Sequence, residues 1–477
     1  MPTALGRHTH ANFIEWADRF FAVGKYDAGD KVLRQACSLP SQSLDDTNAF
    51  AQKLLSRGGY KDLSLFLGNV PVALRDAAYW RFAGEAAFQH GDARTAHHAY
   101  DTAIELEPDA VEAHLGRGVL YMAEGNGAQA IAALRDALNA DPTHVVAART
   151  LAKVRFLVGE ITKAPELDDD WAFAFETGDL ARAWPLYRER KFFNRPAVLK
   201  DKPEPQDLSD VAGRTICLYS EQGLGDVLQF ARFAKDVAKV ADKVILRCPT
   251  QLHAILGTLD ADIAIEGKLS DPAEIEMALP LMSVPCLLDA GAQTNHAGEP
   301  YLRAPPNPRF STPPDASGRL RVGIVWQGSR AAVDIGRSLP HGPLSKLLRH
   351  KAATFFSLQA GGGLDDIQGT ELIRHLTIYP DLDAGTSAFL DSAALMTQLD
   401  LVVCTDTSVA HLAGALGVPT FLMLKHWPDW RWSMGKSWNW YQSMTMVHQP
   451  KHGDWNSVVS KVGEMIERKA NEMGAQN

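Results

Sequence analysis

The chain reads as an α-helical repeat region followed by two α/β halves. Three observations predict this. Residues in the first third recur at a spacing of 34; short apolar runs alternate with amphipathic segments from about Thr215; and a proline cluster divides that second region in two. A chain of 477 residues, 46% of them hydrophobic, has the length for more than one domain and enough apolar side chains for each to bury a core.

The repeat comes first. Gly91, Gly125 and Gly159 are spaced by 34, as are the pairs Gly84 and Gly118, Ala96 and Ala130, Ala103 and Ala137, and Pro108 and Pro142. A period of 34 predicts one helix-turn-helix unit per repeat. Small residues let paired helices approach, the turn glycine closes the first helix, and the proline ends the second. Weaker copies lie upstream, around "FFAVGKYDAGDKVLRQA" and "LLSRGGYKDLSLFL". A degenerate unit follows at 145–164, and "WAFAFETGDLARAWPLYRER" (171–190) reads as a capping helical pair. The repeats are assigned 1–190. Stacked repeats present a concave groove suited to a peptide or protein.

From Thr215 the runs "TICLY", "KVILRC", "IAI", "RVGIVW", "TFFSLQ", "LVVCT" and "TFLML" alternate with amphipathic stretches. This pattern predicts parallel strands covered by helices. Five prolines within 305–314 make 303–319 a stiff linker. The halves are assigned 205–303 and 319–450, with a C-terminal helix over 451–477. Two doubly wound halves place a cleft at the C-terminal ends of their strands.

Charge and cysteine usage narrow the function. Lys and Arg total 48 against 57 Asp and Glu, a formal charge of −9, which argues against a general nucleic-acid backbone binder. Cys37, Cys217, Cys248, Cys286 and Cys404 are far apart, with no CxxC pair. They are expected to be reduced, mostly buried thiols. With no apolar signal core at the N-terminus and no window of membrane-span length, the expected location is cytoplasmic.

Four stretches carry candidate chemistry. In "SEQGLGDVLQFARF" (220–233), Gly223 and Gly225 allow a tight turn and close approach by a ligand, and Asp226 starts a helix as a potential N-cap. The stretch lacks both the third glycine of a dinucleotide fingerprint and the GK[ST] of a P-loop. In "CTDTSVAHLAGALGVPTFLML" (404–424), a strand ends near Asp406-Thr407-Ser408 and a helix carrying His411 begins. Amides and hydroxyls at a helix start suit phosphate oxygens, or simply cap the helix. In "VGIVWQGSRAAVDIGRS" (322–338), a strand leads into Gly328-Ser329, and Arg330 or Arg337 can neutralise a diphosphate. In "KHWPDWRWSMGKSWNWYQS" (425–443), Trp427, Trp430, Trp432, Trp438 and Trp440 crowd Lys425, Arg431 and Tyr441. They read mostly as core, with some lining the cleft.

The units 77–110 and 111–144 resemble the tetratricopeptide repeat. The first carries Trp80, Gly84, Ala96, Tyr100, Ala103 and Pro108 at signature places; the second carries Gly118, Tyr121, Ala130, Leu134, Ala137 and Pro142. Residues 215–460 resemble the heptosyltransferase-type glycosyltransferases of GT-B fold, and the whole resembles bacterial proteins that join such a domain to tetratricopeptide repeats. The likeness rests on "EQGLGDVLQFARF", "LRVGIVWQGS", "FFSLQ", "DLVVCTDTSVAHLAGALGVPTFLML", "PDWRW" and "GDW" (453–455). It implies a tetratricopeptide-like region followed by an α/β GT-B fold of two Rossmann-like halves, acceptor side first and nucleotide-sugar side second. It assigns Asp226 as general base and Gly223, Gly225 and Gln229 to an acceptor-side loop. Asp406, Thr407, Ser408 and His411, with Gly328, Ser329, Arg330 and Arg337, go to the donor. No metal or cofactor is implied, the nucleotide sugar being a co-substrate.

The chain departs from the heptosyltransferase pattern at Gln229, where histidine is frequent, and at Ser408, where glycine is common. The reading is a transfer from a nucleotide-sugar donor to an acceptor, possible protein acceptors on the repeat groove including flagellin, with no nucleic acid and no membrane span. The alternative is a non-catalytic repeat adaptor with a degenerate GT-B-like domain. A metal-dependent enzyme using "DDD" (168–170) or "DLD" (381–383) fits poorly, because neither triplet lies in the strand-to-helix turns that carry the other motifs.

Overall fold

The structure is a computed structural model. It describes residues 9–22, 25–161, 170–190, 195–288, 299–305, 308–312, 318–328, 335–360, 362–385, 387–432 and 440–474. The chain divides into two compact units, 1–166 with 329–336, and 167–328 with 337–477.

The first unit is built from antiparallel helices: α1 (His10–Ala22), α2 (Tyr26–Ala36), α3 (Leu44–Ser56), α4 (Tyr60–Gly68), α5 (Ala77–Gln89), α6 (Ala93–Leu106), α7 (Val111–Glu124), α8 (Gly127–Ala140) and α9 (Val145–Leu157). The starts of α5, α7 and α9 are 34 residues apart. Gly91, Gly125 and Gly159 have φ of 74°, 84° and 77°, the left-handed conformation that ends a helix and that glycine adopts without a Cβ penalty. The small residues act as predicted: a Cβ on Gly84 would lie 2.7 Å from the Tyr100 ring, and one on Gly118 2.8 Å from Leu134. Asp76 and Asp92 cap α5 and α6 by accepting from the amides of Tyr79 and Thr95.

The sequence reading assigns the helical pair α10 (Trp171–Thr177) and α11 (Leu180–Arg188) to the repeat region. It belongs to the second unit, and Phe175, Ala183, Trp184 and Tyr187 share a buried core with Leu228, Phe230 and Trp430. Trp171, Phe175, Trp184 and Tyr187 of the pair find their partners in the α/β region.

Two parallel sheets follow. The first holds β1 (Thr215–Tyr219), β2 (Lys243–Arg247), β3 (Ala264–Glu266) and β4 (Met277–Pro280) in the order β3-β2-β1-β4. Between β1 and β2 runs α12 (Leu224–Ala238); a single helical turn, α13 (His253–Leu256), precedes β3.

The second sheet holds β5 (Leu320–Val325), β6 (Ala353–Ser357), β7 (Leu376–Thr377), β8 (Leu401–Thr405), β9 (Thr420–Leu424) and β10 (Met444–His448) in the order β10-β9-β8-β5-β6-β7. Its connections include α14 (His341–Leu348), α15 (Gly362–Ile367), α16 (Leu390–Met396) and α17 (Ser408–Leu416), and α18 (Trp455–Gly474) closes the chain. Counted from its own first strand, this sheet has the Rossmann order 3-2-1-4-5-6, and the first sheet has its 3-2-1-4 portion.

Every described strand pairing is parallel. Such a sheet is covered on both faces, so its strands are continuously apolar, and β8 and β9 are buried throughout. The topological switch points fall between β1 and β4 and between β5 and β8. The turns after β1, β5 and β8 therefore converge where ligands bind in such folds. These are the turns that hold the predicted motifs.

Candidate active site

Asp226 is the third residue of α12, not its N-cap. Its Oδ2 reaches back to accept from the Gly223 amide at 2.9 Å and closes the helix start. Its Oδ1 accepts from Arg431 Nη2 at 2.6 Å. Arg431 comes from a 3-10 turn, Trp430–Trp432, at the far end of the second half. It also donates through Nη1 to Asp429 Oδ1 at 2.8 Å and through Nε to Gln229 Oε1 at 2.9 Å. The site is thus anchored by an arginine held between two carboxylates and an amide.

Burial, with Asp429 close by, raises the Asp226 carboxyl above its ordinary value, against the opposing pull of Arg431 and the Gly223 amide. The same carboxylates raise the Arg431 guanidinium despite its burial.

Gly223, Gly225 and Gln229 lie along the start of α12. Gly223 has φ −66° and serves as the helix cap residue. Gly225 faces the other half rather than open space. A Cβ there would sit 3.1 Å from both Ser408 Cα and His411 Cδ2. Glycine lets the two helix starts pack closely here. Gln229 is not in the loop but on α12, fully buried, with Nε2 lacking a hydrogen-bond partner.

The donor-side candidates fall into two groups. Asp406, Thr407, Ser408 and His411 lie together where β8 meets α17. Thr407 is the N-cap residue, yet its hydroxyl makes no capping bond; Oγ1 is buried and unpartnered at 8% residue exposure. An unsatisfied buried hydroxyl at a helix start is the arrangement an anionic ligand would complete. Burial and Asp429 raise the Asp406 carboxyl, opposed by Arg337, Trp432 and Arg431. His411 is buried, stacked on Trp432 at 5.3 Å, and within 3.0 Å of the Tyr441 hydroxyl through Nδ1. Burial, Arg431 and Arg232 hold it well below the usual imidazole value, so it is neutral near pH 7.

The second group lies at the end of β5. Gln359 Oε1 accepts from the amides of Trp326 and Gln327 at 3.1 and 3.0 Å and fixes the strand end. Gly328 makes room for Arg337, whose guanidinium lies where a Cβ would be. Ser329 and Arg330 lie outside the described residues. Arg337 therefore stands as the described cation on this turn that bears on Asp406.

Sequence reasoning placed Arg431 in an aromatic cluster but gave it no role. Arg232, Asp429 and Tyr441 went unassigned too. Arg232 is buried, donates to Trp440 O at 2.7 Å and Tyr301 Oη at 3.1 Å, and lies 4.5 Å from the Tyr441 ring centre. An arginine between tryptophans in a buried segment requires acceptors. That signal was present, but the identity of its acceptors was not.

Trp430, Trp432 and Trp440 are buried, as expected of core; Trp438 lies outside the described residues. Two residues of the acidic triplets make helix-start bonds. Asp170 caps α10, and Asp383 accepts from the amides at the start of α16; Asp168 and Asp169 lie outside the described residues. Among the described residues no group of acidic, histidine and cysteine side chains has the arrangement of a metal site, and no helix is long and apolar enough to cross a membrane.

With this geometry in place, the relatives can be set beside it. Residues 83–145 match the family model of the tetratricopeptide repeat. The match begins within α5 and ends at the first residue of α9. Protein FlbA of Caulobacter vibrioides is 23% identical over 490 residues, spanning 95% of this chain and 76% of FlbA. A point mutant of Thermobaculum terrenum O-GlcNAc transferase is 14% identical, with a TM-score of 0.39 over 90% of this chain and 91% of that one. Escherichia coli ADP-heptose lipopolysaccharide heptosyltransferase II is 10% identical, with a TM-score of 0.35 over 55% of this chain and 99% of that one.

Proposed function

We propose that the chain is a metal-independent, heptosyltransferase-like glycosyltransferase that moves a sugar from a nucleotide-sugar donor to an acceptor docked by its repeats. One observation carries this reading. The carboxylate-bearing start of α12 and the unsatisfied start of α17, far apart in sequence, pack so closely that a Cβ on Gly225 would lie 3.1 Å from Ser408 Cα. In the reaction, Asp226 takes the proton of the acceptor hydroxyl as its oxygen attacks the anomeric carbon. The bond to the diphosphate breaks, and the electron pair leaves with the nucleoside diphosphate. The α17 amides, the Thr407 hydroxyl and Arg337 bear the leaving-group charge. A protein is the favoured acceptor class, because repeat grooves commonly receive peptides. The buried free thiols fit a reducing, cytoplasmic setting.

A thermal-shift series with ADP-, UDP-, GDP- and CMP-sugars tests the donor assignment. Stabilisation by one of them is expected, and none with any sugar would count against it.

The Asp226–Arg431 pair favours a second reading, a non-catalytic adaptor, because a neutralised carboxylate is a poor base. That reading expects partner binding through the repeats to be indifferent to changes at Asp226 and His411, and no donor to bind.

A further inference from the structure

We propose that Arg431 is a diphosphate ligand held on Asp226 until a donor arrives, so that donor binding releases the base. The inference rests on the donor reading above and adds an order of events to it.

Arg431 is the hinge of the site's charges. It bonds Asp226 at 2.6 Å and Asp429 at 2.8 Å, and it is 9% exposed. Asp226 follows Gly225, where a Cβ would lie 3.1 Å from Ser408 Cα and His411 Cδ2, so the helix start that holds the guanidinium packs against the start of α17. Two buried polar atoms on these helices have no partner: Thr407 Oγ1 at the start of α17 and Gln229 Nε2 on α12. Gln229 already accepts from Arg431 through Oε1, so its idle amide nitrogen is beside the same guanidinium. The Thr407 hydroxyl and the Gln229 amide nitrogen are buried donors left over on the two helices, and a ligand with acceptor oxygens would satisfy them.

A diphosphate supplies that acceptor. Its oxygens offer Arg431 a bidentate partner stronger than one carboxylate oxygen. Turning the guanidinium toward the phosphates leaves Asp429 on its other amino group and frees Asp226. The freed carboxylate is still buried and still near Asp429, so it holds a proton more tightly than when paired. It then accepts the acceptor's hydroxyl proton, while the anomeric carbon's bond to the diphosphate breaks and the electron pair departs on the phosphate that Arg431 now neutralises. Before the donor binds, the carboxylate is quenched and cannot activate water.

Proton linkage reads this exchange without turnover. The groups that bear on Asp226 are Arg431 and Asp429 from the 428–432 segment, Glu221 and the Gly223 amide from its own turn, and Tyr187 from α11. His411 and Asp406 also feel the charge of Arg431. Calorimetry of pyrophosphate, ADP, UDP, GDP and CDP is run in two buffers of different ionisation enthalpy, at about pH 5–6, just above the ordinary carboxylate range. The full-length protein is expected to take up more protons per bound ligand than Asp226→Asn does under the same conditions, because Arg431 leaves a carboxylate in one and an amide in the other. Arg431→Lys, which keeps the charge and loses the fork, is expected to bind about tenfold more weakly and to show less excess uptake.

Equal uptake by the native protein and Asp226→Asn, or equal affinity in Arg431→Lys, overturns the inference and leaves the donor reading standing. No binding of any of these ligands overturns both.

Discussion

At the scale of the residue, Asp226 and Thr407 make opposite predictions about function and stability. Asp226→Asn keeps the shape and the acceptor oxygen, so a nucleotide sugar should still bind while transfer falls by about 10²-fold or more, read as kcat at saturating donor. Thr407→Val removes a buried hydroxyl that has no partner, so stability should hold or rise slightly while donor affinity drops. A calorimetric titration beside a thermal melt separates the two effects.

His411 supplies the pH dependence. Its folded value lies well below the unfolded one because burial and two arginines oppose its charge. Its contribution to stability is therefore complete above the unfolded value, about 6.5, and is lost as pH falls toward the folded value. Urea unfolding at a series of pH values should show stability rising with pH across that window. His411→Gln should flatten the rise, while a slope unchanged in that variant would mean another group titrates. His448, also depressed by burial, contributes in the same sense.

At the scale of the element, the two helices that bracket the site depend on one contact. Gly225→Ala must push a methyl to 3.1 Å from the Ser408 backbone, a cost of about 1–3 kcal/mol that would show in a melt and spread to donor affinity. The hairpin of α10 and α11 is a second such case. Trp430 stacks on Phe175 at 4.1 Å and meets the Tyr187 ring at 5.6 Å, while Arg190 pairs with buried Glu221 just before the Gly223 turn. Trp430→Ala should cost about 3–5 kcal/mol and loosen Arg431 with it.

These element-scale relations mark how far local signals reach. The glycine period and the alanine pairs declared the repeats, because a left-handed turn and a close helix contact each demand a particular residue. Strand positions were equally clear from their apolar runs. The partner of the 171–190 pair was not, since an amphipathic helix looks the same whichever surface it covers. Gln229 was misplaced for a related reason: a glutamine one turn into a helix gives no sign of whether it faces solvent or an arginine 202 residues away.

At the scale of the whole molecule, the boundary before Leu167 is a testable consequence. A variant beginning at about residue 167 should keep the native near-ultraviolet signal of the α/β unit. One beginning after residue 190 loses Phe175, Trp184 and Tyr187 from the main core and should be poorly folded. Equal behaviour of the two would mean the hairpin is dispensable to that core.

Composition, period and alternation by themselves determined the architecture: a repeat with a 34-residue unit, then two parallel sheets whose strand-to-helix turns carry Gly223 to Asp226, Gly328 and Asp406 to His411. These are local demands, each met by a residue type at a short spacing. Only the tertiary structure decided which charges meet. Asp226 and Arg431 are 205 positions apart, and the packing of α12 on α17 brings their halves together. An ion pair is a property of distance and burial, and chain order encodes neither until the sheets have assembled.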